Sequence, residues 1–175
     1  LKKSTPQNIV IGGASGAMPP LIGWVANTGT FSIEPILLFL FIFFWTPPHF
    51  WSLAIITKND YANAKIPMFP VLYGVKETKK WILYYTIILV FCSQIISFSG
   101  IGGLEFFLLS NLLNATLLIS AIKLARFPTH KDFQREKSFF KYTIFYLFMY
   151  FGILIIASAT KKLGLNISVS WPVLF

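Results

Sequence analysis

The sequence predicts an all-α membrane protein, a helical bundle with five transmembrane helices. Hydrophobic residues make up 55% of the 175 positions and charged residues only 12%, which leaves too few charges to cover a water-soluble domain. Five mostly apolar segments approach the roughly 20 residues that an α-helix needs to cross a bilayer. Alternating these segments across a membrane places 13 of the 15 Lys and Arg residues on one side. The lipid bilayer is therefore the predicted partner of this fold.

The five predicted spans form a single domain over residues 1–175. They run approximately from Ile9 to Val25, Ile36 to Ile56, Trp81 to Ile101, Phe106 to Ala125 and Tyr142 to Ala159. The first is the shortest and is rich in Gly and Pro, which membrane helices tolerate when neighbouring helices satisfy the freed backbone groups. Its Gly12-x-x-x-Gly16 spacing permits close helix approach, although this motif is common by chance in Gly-rich sequence.

The second span contains the heptapeptide WTPPHFW, residues 45–51. Its two adjacent prolines remove backbone donors, which predicts an interrupted helix ladder with a kink or a widened cavity. An ionisable residue at this depth usually faces the protein interior or a water-filled cavity. Three roles for His49 are therefore open: a proton donor or acceptor, a contact for a haem, or a polar group that a neighbouring helix satisfies.

Polar side chains in the last three spans predict contacts between helices. Gln94, Asn111 and Asn114 are expected to form interhelical hydrogen bonds. A stripe of tyrosines at i, i+4 and i+8 predicts packing, with hydroxyls bonded across the bundle, or else a wall for a large planar ligand. These tyrosines are Tyr142, Tyr146 and Tyr150.

The distribution of basic residues predicts the orientation of the chain. Short loops rich in Lys and Arg face the cytoplasm, which places the N-terminus inside and the C-terminus outside the predicted bacterial inner membrane. The long basic loops at 58–80 and 126–141 are then cytoplasmic, and only Lys161 and Lys162 are external. This asymmetry explains the net charge of +9, so no nucleic-acid partner is expected.

The segment TKNDYANAKIPMFPVLYG, residues 57–74, contains the strongest candidate for a metal-binding carboxylate. Asp60 lies between Lys58 and Lys65 at the predicted membrane edge. A carboxylate among lysines suits a Mg²⁺–phosphate site, because the hard cation prefers carboxylate oxygens and the lysines neutralise phosphate oxygens. The alternative is a solvated loop that carries one unremarkable Asp.

The other inner acids are weaker candidates for a metal site. Asp132 and Glu136 stand at i, i+4, but adjacent cations can neutralise them, which predicts a salt-bridged surface helix. Those cations are Lys131, Arg135 and Lys137. A metal–diphosphate site built from Asp60 alone is therefore incomplete.

Three segments together resemble the protohaem IX farnesyltransferase (haem O synthase) family of UbiA-type intramembrane prenyltransferases. They are LKKSTPQNIVIGGASGAMPPLIGW, WTPPHFWSLA and KNDYANAKIPMFPV, and the likeness extends from residue 1 to about 159. The resemblance implies a bundle of nine spans, of which these are the last five, with an active site open to the cytoplasm. It also implies Mg²⁺-dependent transfer of the farnesyl group of farnesyl diphosphate to a vinyl group of haem b. Haem A synthase or the terminal oxidase assembly pathway would be its partners.

The resemblance also implies roles for particular residues. Asp60 matches the second acidic motif, which holds Mg²⁺ through the diphosphate and is the catalytic position. The residues implied in substrate binding are Lys58, Lys65, Tyr61, Lys2, Lys3 and His49.

Two departures from the family pattern limit this assignment. The superfamily reads D-x-x-x-D where this chain reads Asp60-x-x-x-Ala64, and no N-x-x-x-D-x-x-x-D motif is present. That first motif is expected before Leu1, so the segment alone is predicted to be inactive. Prenyl transfer to a quinone precursor is an alternative that Ala64 disfavours. A non-enzymatic transporter or assembly subunit is a further alternative, and it predicts that the protein tolerates Asp60→Asn.

Overall fold

The computed structural model describes residues 5–99 and 103–164, and this part of the chain is all-helical. The helices are α1 (Asn8–Gly16), α2 (Met18–Thr28), α3 (Ile33–Ile56), α4 (Lys58–Asn63), α5 (Phe69–Leu72), α6 (Gly74–Phe98), α7 (Gly103–Arg126) and α8 (Gln134–Lys162). The combined α1–α2 segment, α3, α6, α7 and α8 are each long and apolar enough to cross a membrane. The predicted fold class and the five predicted spans are therefore confirmed.

The helix boundaries at one end of the bundle differ from the predicted ones. Helix α6 begins at Gly74 rather than Trp81, and α8 begins at Gln134 rather than Tyr142. The polar first turns VKETKK and QREKSFFK continue the helices beyond their apolar stretches, because Lys, Glu, Gln and Arg are strong helix formers. The predicted long loop at 58–80 consequently contains α4, α5 and the start of α6, and the α7–α8 connection shrinks to residues 127–133.

The four long helices α3, α6, α7 and α8 form a closed bundle. Each packs against two others in the order α3–α6–α7–α8–α3, while α1 and α2 pack against α3. Phe41 of α3 lies at the centre, where its ring stacks on Tyr150 with 4.0 Å between centroids and contacts Tyr146 at 5.9 Å. Lipid tails are as apolar as these side chains, so close van der Waals packing rather than water exclusion stabilises such a core.

Side-chain hydrogen bonds also connect the helices. The Gln94 amide donates to Asn111 Oδ1 at 3.0 Å, and the Asn114 amide donates to Ser93 Oγ at 2.9 Å. The Tyr146 hydroxyl donates to Asn114 Oδ1 at 2.7 Å. The predicted interhelical bonds are confirmed, and α6, α7 and α8 share one polar network.

Helix α3 continues through its two prolines. Pro47 and Pro48 lie inside an unbroken helical segment, although neither can donate to the carbonyl four residues earlier. The Phe43 and Phe44 carbonyls therefore lack these donors, and the Thr46 hydroxyl donates to a different carbonyl, that of Ile42, at 2.8 Å. The predicted interruption therefore does not end the helix, because packing on several sides holds α3 in place.

The closest approach of α1 to α3 occurs at one glycine. A Cβ atom at Gly13 would lie 3.0 Å from Thr46 Cγ2, which is too close for an ordinary contact. A Cβ at Gly12 or Gly16 would meet nothing within 4 Å. The GxxxG spacing noted in the sequence is therefore not the contact that joins these two helices.

Candidate functional site

The antiparallel order of the helices gathers most of the basic residues at one end of the bundle, here called the basic end. This end contains the C-termini of α3 and α7, the N-termini of α6 and α8, and the short helices α4 and α5. Its basic residues are Lys58, Lys65, Lys76, Lys79, Lys80, Lys123, Arg126, Lys131, Arg135, Lys137 and Lys141. Lys161 and Lys162 lie at the opposite end, and the candidate residues Lys2 and Lys3 lie outside the described residues.

Asp60 lies on α4, immediately after α3 ends at Ile56. Its side chain is exposed, and it forms no ion pair with any residue in the described ranges 5–99 and 103–164. Lys58 and Tyr61 are half-buried on the same short helix, and Lys65 follows it in an exposed position. Four of the predicted site residues thus lie within the stretch 58–65, where the Asp60 carboxylate has no ion-pair partner among the described residues.

The end of α4 has an unusual backbone conformation at Lys65. Its φ is +53°, in the left-handed region, where a residue with a Cβ costs about 1 kcal/mol or more. The Lys65 amide donates to the Ala62 carbonyl and the Ile66 amide to the Tyr61 carbonyl, both at 3.0 Å. This is a Schellman cap, whose left-handed position is usually Gly or Asn. Because a strained lysine stands there, its side chain is a reasonable candidate for a functional contact.

His49 lies about two turns from the end of α3, between that helix and α8. Its Nδ1 is 2.8 Å from Thr143 Oγ1, and its ring stacks on Trp45 and Phe140 with centroids 4.4 and 4.7 Å away. The Thr143 hydroxyl also lies 2.6 Å from the Phe140 carbonyl, so it bridges His49 Nδ1 and the backbone of α8. This environment favours the third alternative, a polar group satisfied by a neighbouring helix.

Removal of the Thr143 hydroxyl is expected to destabilise the α3–α8 contact. Thr143→Val leaves the buried His49 Nδ1 without its hydrogen-bond partner, which should lower the free energy of unfolding by about 1 kcal/mol. Thermal or denaturant unfolding of the purified protein in detergent measures this loss. Thr28→Val is the matched control, because the Thr28 hydroxyl is exposed and bonds only along or just beyond its own helix. An equal effect of the two substitutions would contradict the prediction.

A buried ion pair at the basic end differs from the sequence-based expectation. Lys79 Nζ of α6 lies 2.7 Å from Glu136 Oε1 of α8, with side chains only 4% and 1% exposed. The Thr129 hydroxyl donates to the same oxygen at 2.9 Å, and Lys79 also donates to the Phe127 carbonyl at 3.2 Å. The pair joins helices that occupy opposite corners of the bundle.

The predicted salt-bridged surface helix around Asp132 and Glu136 is therefore wrong. Asp132 lies in a turn before α8 begins, so the two acids do not share a helix face. Glu136 points into the bundle, and its cation comes from α6 rather than from its sequence neighbours. No local pattern distinguishes a buried Glu in a basic first turn from a solvated one, so sequence reasoning missed this contact.

Comparison with known proteins places the chain in a family. The sequence profile of the UbiA prenyltransferase family matches residues 1–151. The chain belongs to the UbiA prenyltransferase family. A curated relative from Ruegeria sp. (strain TM1040), named protoheme IX farnesyltransferase, is 45% identical over 170 residues, which cover 95% of this chain and 54% of the relative. A relative of the same name from Roseobacter denitrificans (strain ATCC 33942 / OCh 114) is 46% identical over the same shares.

The UbiA relatives extend beyond the region that this chain matches. The chain spans about half the length of the curated relatives, including one from Cereibacter sphaeroides that is 43% identical over 95% of the chain and 55% of the relative. No solved structure matches the chain. Family membership and five membrane-capable helices identify an integral membrane protein.

Proposed function

We propose that this chain acts in the transfer of a farnesyl group from farnesyl diphosphate to a vinyl group of haem b, which forms haem O. The observation that carries the proposal is the free, exposed carboxylate of Asp60 among lysines at the basic end. Relatives named protoheme IX farnesyltransferase, with about 45% identity over nearly the whole chain, support the choice of prenyl donor and acceptor. The proposal concerns the complete protein, since the chain spans about half of those relatives.

The residues at this site fit one part of a Mg²⁺–diphosphate complex. Mg²⁺ commonly binds one or two carboxylates together with waters and substrate phosphates, and Asp60 is a carboxylate without a competing cation in the described part of the chain. No group of three or more His, Cys, Asp or Glu side chains converges within residues 5–99 and 103–164. Asp60 would hold the ion jointly with the diphosphate oxygens, and the first acidic motif that the family resemblance implies would supply the other carboxylates.

The chain's own residues have separate tasks in the proposed reaction. Lys58 and Lys65 neutralise the diphosphate oxygens on either side of Asp60, and Tyr61 is a further substrate contact. Mg²⁺ supplies Lewis-acid stabilisation of the negative charge that develops on the departing diphosphate. Lys2 and Lys3, which lie outside the described residues, are further proposed contacts for the substrate. Placing fixed positive groups where negative charge develops is electrostatic catalysis.

The charge distribution supports an orientation for the proposed enzyme. Lys and Arg residues near the ends of spans favour the cytoplasmic side, so the basic end would face the cytoplasm of a bacterial cell, across its inner membrane. Farnesyl diphosphate would then reach Asp60 from the cytoplasm, while haem b would enter from the membrane. Enzymes that use haem O, in the haem A synthase or terminal oxidase assembly pathway, are the proposed partners.

Product formation tests the proposal directly. In the presence of Mg²⁺, membranes that contain the full-length protein should convert farnesyl diphosphate, haem b and water to haem O and diphosphate, with haem O detected by mass spectrometry. The 175-residue chain alone is expected to form none, because Asp60 provides only one carboxylate. Haem O formed by the short chain would overturn that second expectation. If the full-length protein instead prenylates only a quinone precursor, the proposed acceptor is wrong and the transferase class stands.

A further inference from the structure

A cavity of about 550 Å³ opens at the basic end between the last turns of α7 and the first turns of α8. It involves only these two helices and the 127–133 connection, and no residue of α4 or α5. Its lining includes Lys123, Leu124, Phe127, Arg135 and Phe139. The cavity is therefore built from different elements than the Asp60 site.

The lining combines an apolar wall with two cations. Leu124 and Phe139 are buried, and Phe127 is partly exposed at the rim. Lys123 and Arg135 contribute two positive charges, and no Asp or Glu lines the cavity. The Lys123 ammonium forms no ion pair with any residue in the described ranges, so its charge is uncompensated there. The cavity is thus suited to a ligand with a negative group and an apolar portion.

The Arg135 side chain is already held in position. Its Nη1 donates to the Pro128 carbonyl at 3.1 Å, and its guanidinium lies 4.7 Å from the centroid of the Phe127 ring. A guanidinium has five N–H donors in a fixed plane, so these contacts leave donors available for an anion. An ordered cation loses less conformational entropy when a ligand binds, which favours a specific site over diffuse attraction.

The location of the cavity identifies the class of ligand. Both helices that line it are long and apolar enough to cross the membrane, so the cavity lies near the headgroup region of one leaflet. Towards the bilayer centre from the cavity, α7 exposes large apolar side chains such as Leu109, Leu112 and Ile119. Basic pockets between transmembrane helices are recognised sites for anionic lipid headgroups. We propose that this cavity binds an anionic phospholipid, with the phosphate between Lys123 and Arg135 and the acyl chains along α7 and α8.

Lipid titration of the purified full-length protein tests this proposal. After delipidation, native mass spectrometry compares the binding of phosphatidylglycerol with that of phosphatidylcholine. Lys123→Gln/Arg135→Gln is expected to lower the preference for phosphatidylglycerol by about 25-fold, at roughly fivefold for each cation near the membrane surface. The matched control, Lys131→Gln/Lys137→Gln, removes two charges from the same end outside the cavity and should change the preference less than twofold.

A single variant and a competition with inorganic phosphate test whether the bound anion is a lipid headgroup. Lys123→Gln alone should lower the preference about fivefold, and Lys123 is exposed and unpaired among the described residues, so this variant should fold normally. Inorganic phosphate should not displace phosphatidylglycerol, because it lacks the acyl chains that contact the helices. Efficient displacement by phosphate would assign the cavity to a soluble anion and overturn the proposal. Equal losses in the two double variants, or no preference in the unmodified protein, would overturn it as well.

Discussion

Replacement of Asp60 by Asn in the full-length protein is expected to reduce farnesyl transfer at least about 100-fold while the protein remains folded. The amide keeps the shape of the side chain but removes the negative charge proposed to hold the metal–diphosphate complex. The loss of one preorganised electrostatic contact at a reacting centre typically costs 10²–10³ in rate. Asp60 is exposed and forms no ion pair with another described residue, so its contribution to stability should be within about 0.5 kcal/mol.

Two further variants test whether the loss of activity is specific to the proposed site. The first is a control for charge, and the second changes a proposed diphosphate contact. Glu77→Gln removes an exposed carboxylate at the same end, where Glu77 only contacts Lys80 at 3.0 Å, and activity should stay within about twofold. Lys65→Asn removes a charge beside Asp60 but keeps a residue that tolerates φ of +53°. It should raise the KM for farnesyl diphosphate without unfolding the α4 cap.

Kinetics of these variants with farnesyl diphosphate and haem b, together with a thermal unfolding curve for each, provide the measurement. Nearly full activity of Asp60→Asn would contradict the proposed site and favour a non-enzymatic membrane role. Equal losses in Asp60→Asn and Glu77→Gln, which each remove one negative charge, would assign the effect to net charge at the basic end rather than to Asp60.

The features that could be predicted from the sequence are those that depend on local composition. Apolar length located all five spans, and the polar residues Gln94, Asn111 and Asn114 predicted contacts that the structure shows. The start of α8 was not predictable in this way. Hydropathy alone predicts that a span ends where charged residues begin. In α8, however, the largely polar residues 134–141 continue the helix.

Features that depend on which helices meet were beyond sequence reasoning. Nothing in WTPPHFW indicates that His49 forms a hydrogen bond with Thr143, since that partner lies on α8, far along the chain. The same limit applies to Gly13, whose close neighbour is Thr46 of α3 rather than a GxxxG partner. Asp60 could be singled out because the proposal for it depends on neighbouring residues of the same short segment, and its role stays a prediction.

The second large effect is expected at the buried pair of Lys79 and Glu136. Glu136→Ala leaves the Lys79 ammonium buried without its carboxylate, and loss of one partner from a buried ion pair commonly costs 3–5 kcal/mol. It also removes the acceptor of the Thr129 hydroxyl, which holds the connection between α7 and α8. We therefore expect a lower free energy of unfolding in detergent and earlier proteolysis within residues 127–133.

Two variants serve as controls for the effect of Glu136→Ala on stability. Lys79→Met/Glu136→Leu removes both charges and restores apolar volume, so it should recover most of the stability that Glu136→Ala loses. Lys80→Gln breaks the exposed pair with Glu77, whose side chains are 50% and 42% exposed, and should change stability by less than about 1 kcal/mol. If Glu136→Ala were as mild as Lys80→Gln, the Lys79–Glu136 contact would be solvated rather than buried. That contact joins α6 to α8 across the bundle. Such a result would therefore also mean that the ion pair does not fix the relative position of these two helices at the basic end.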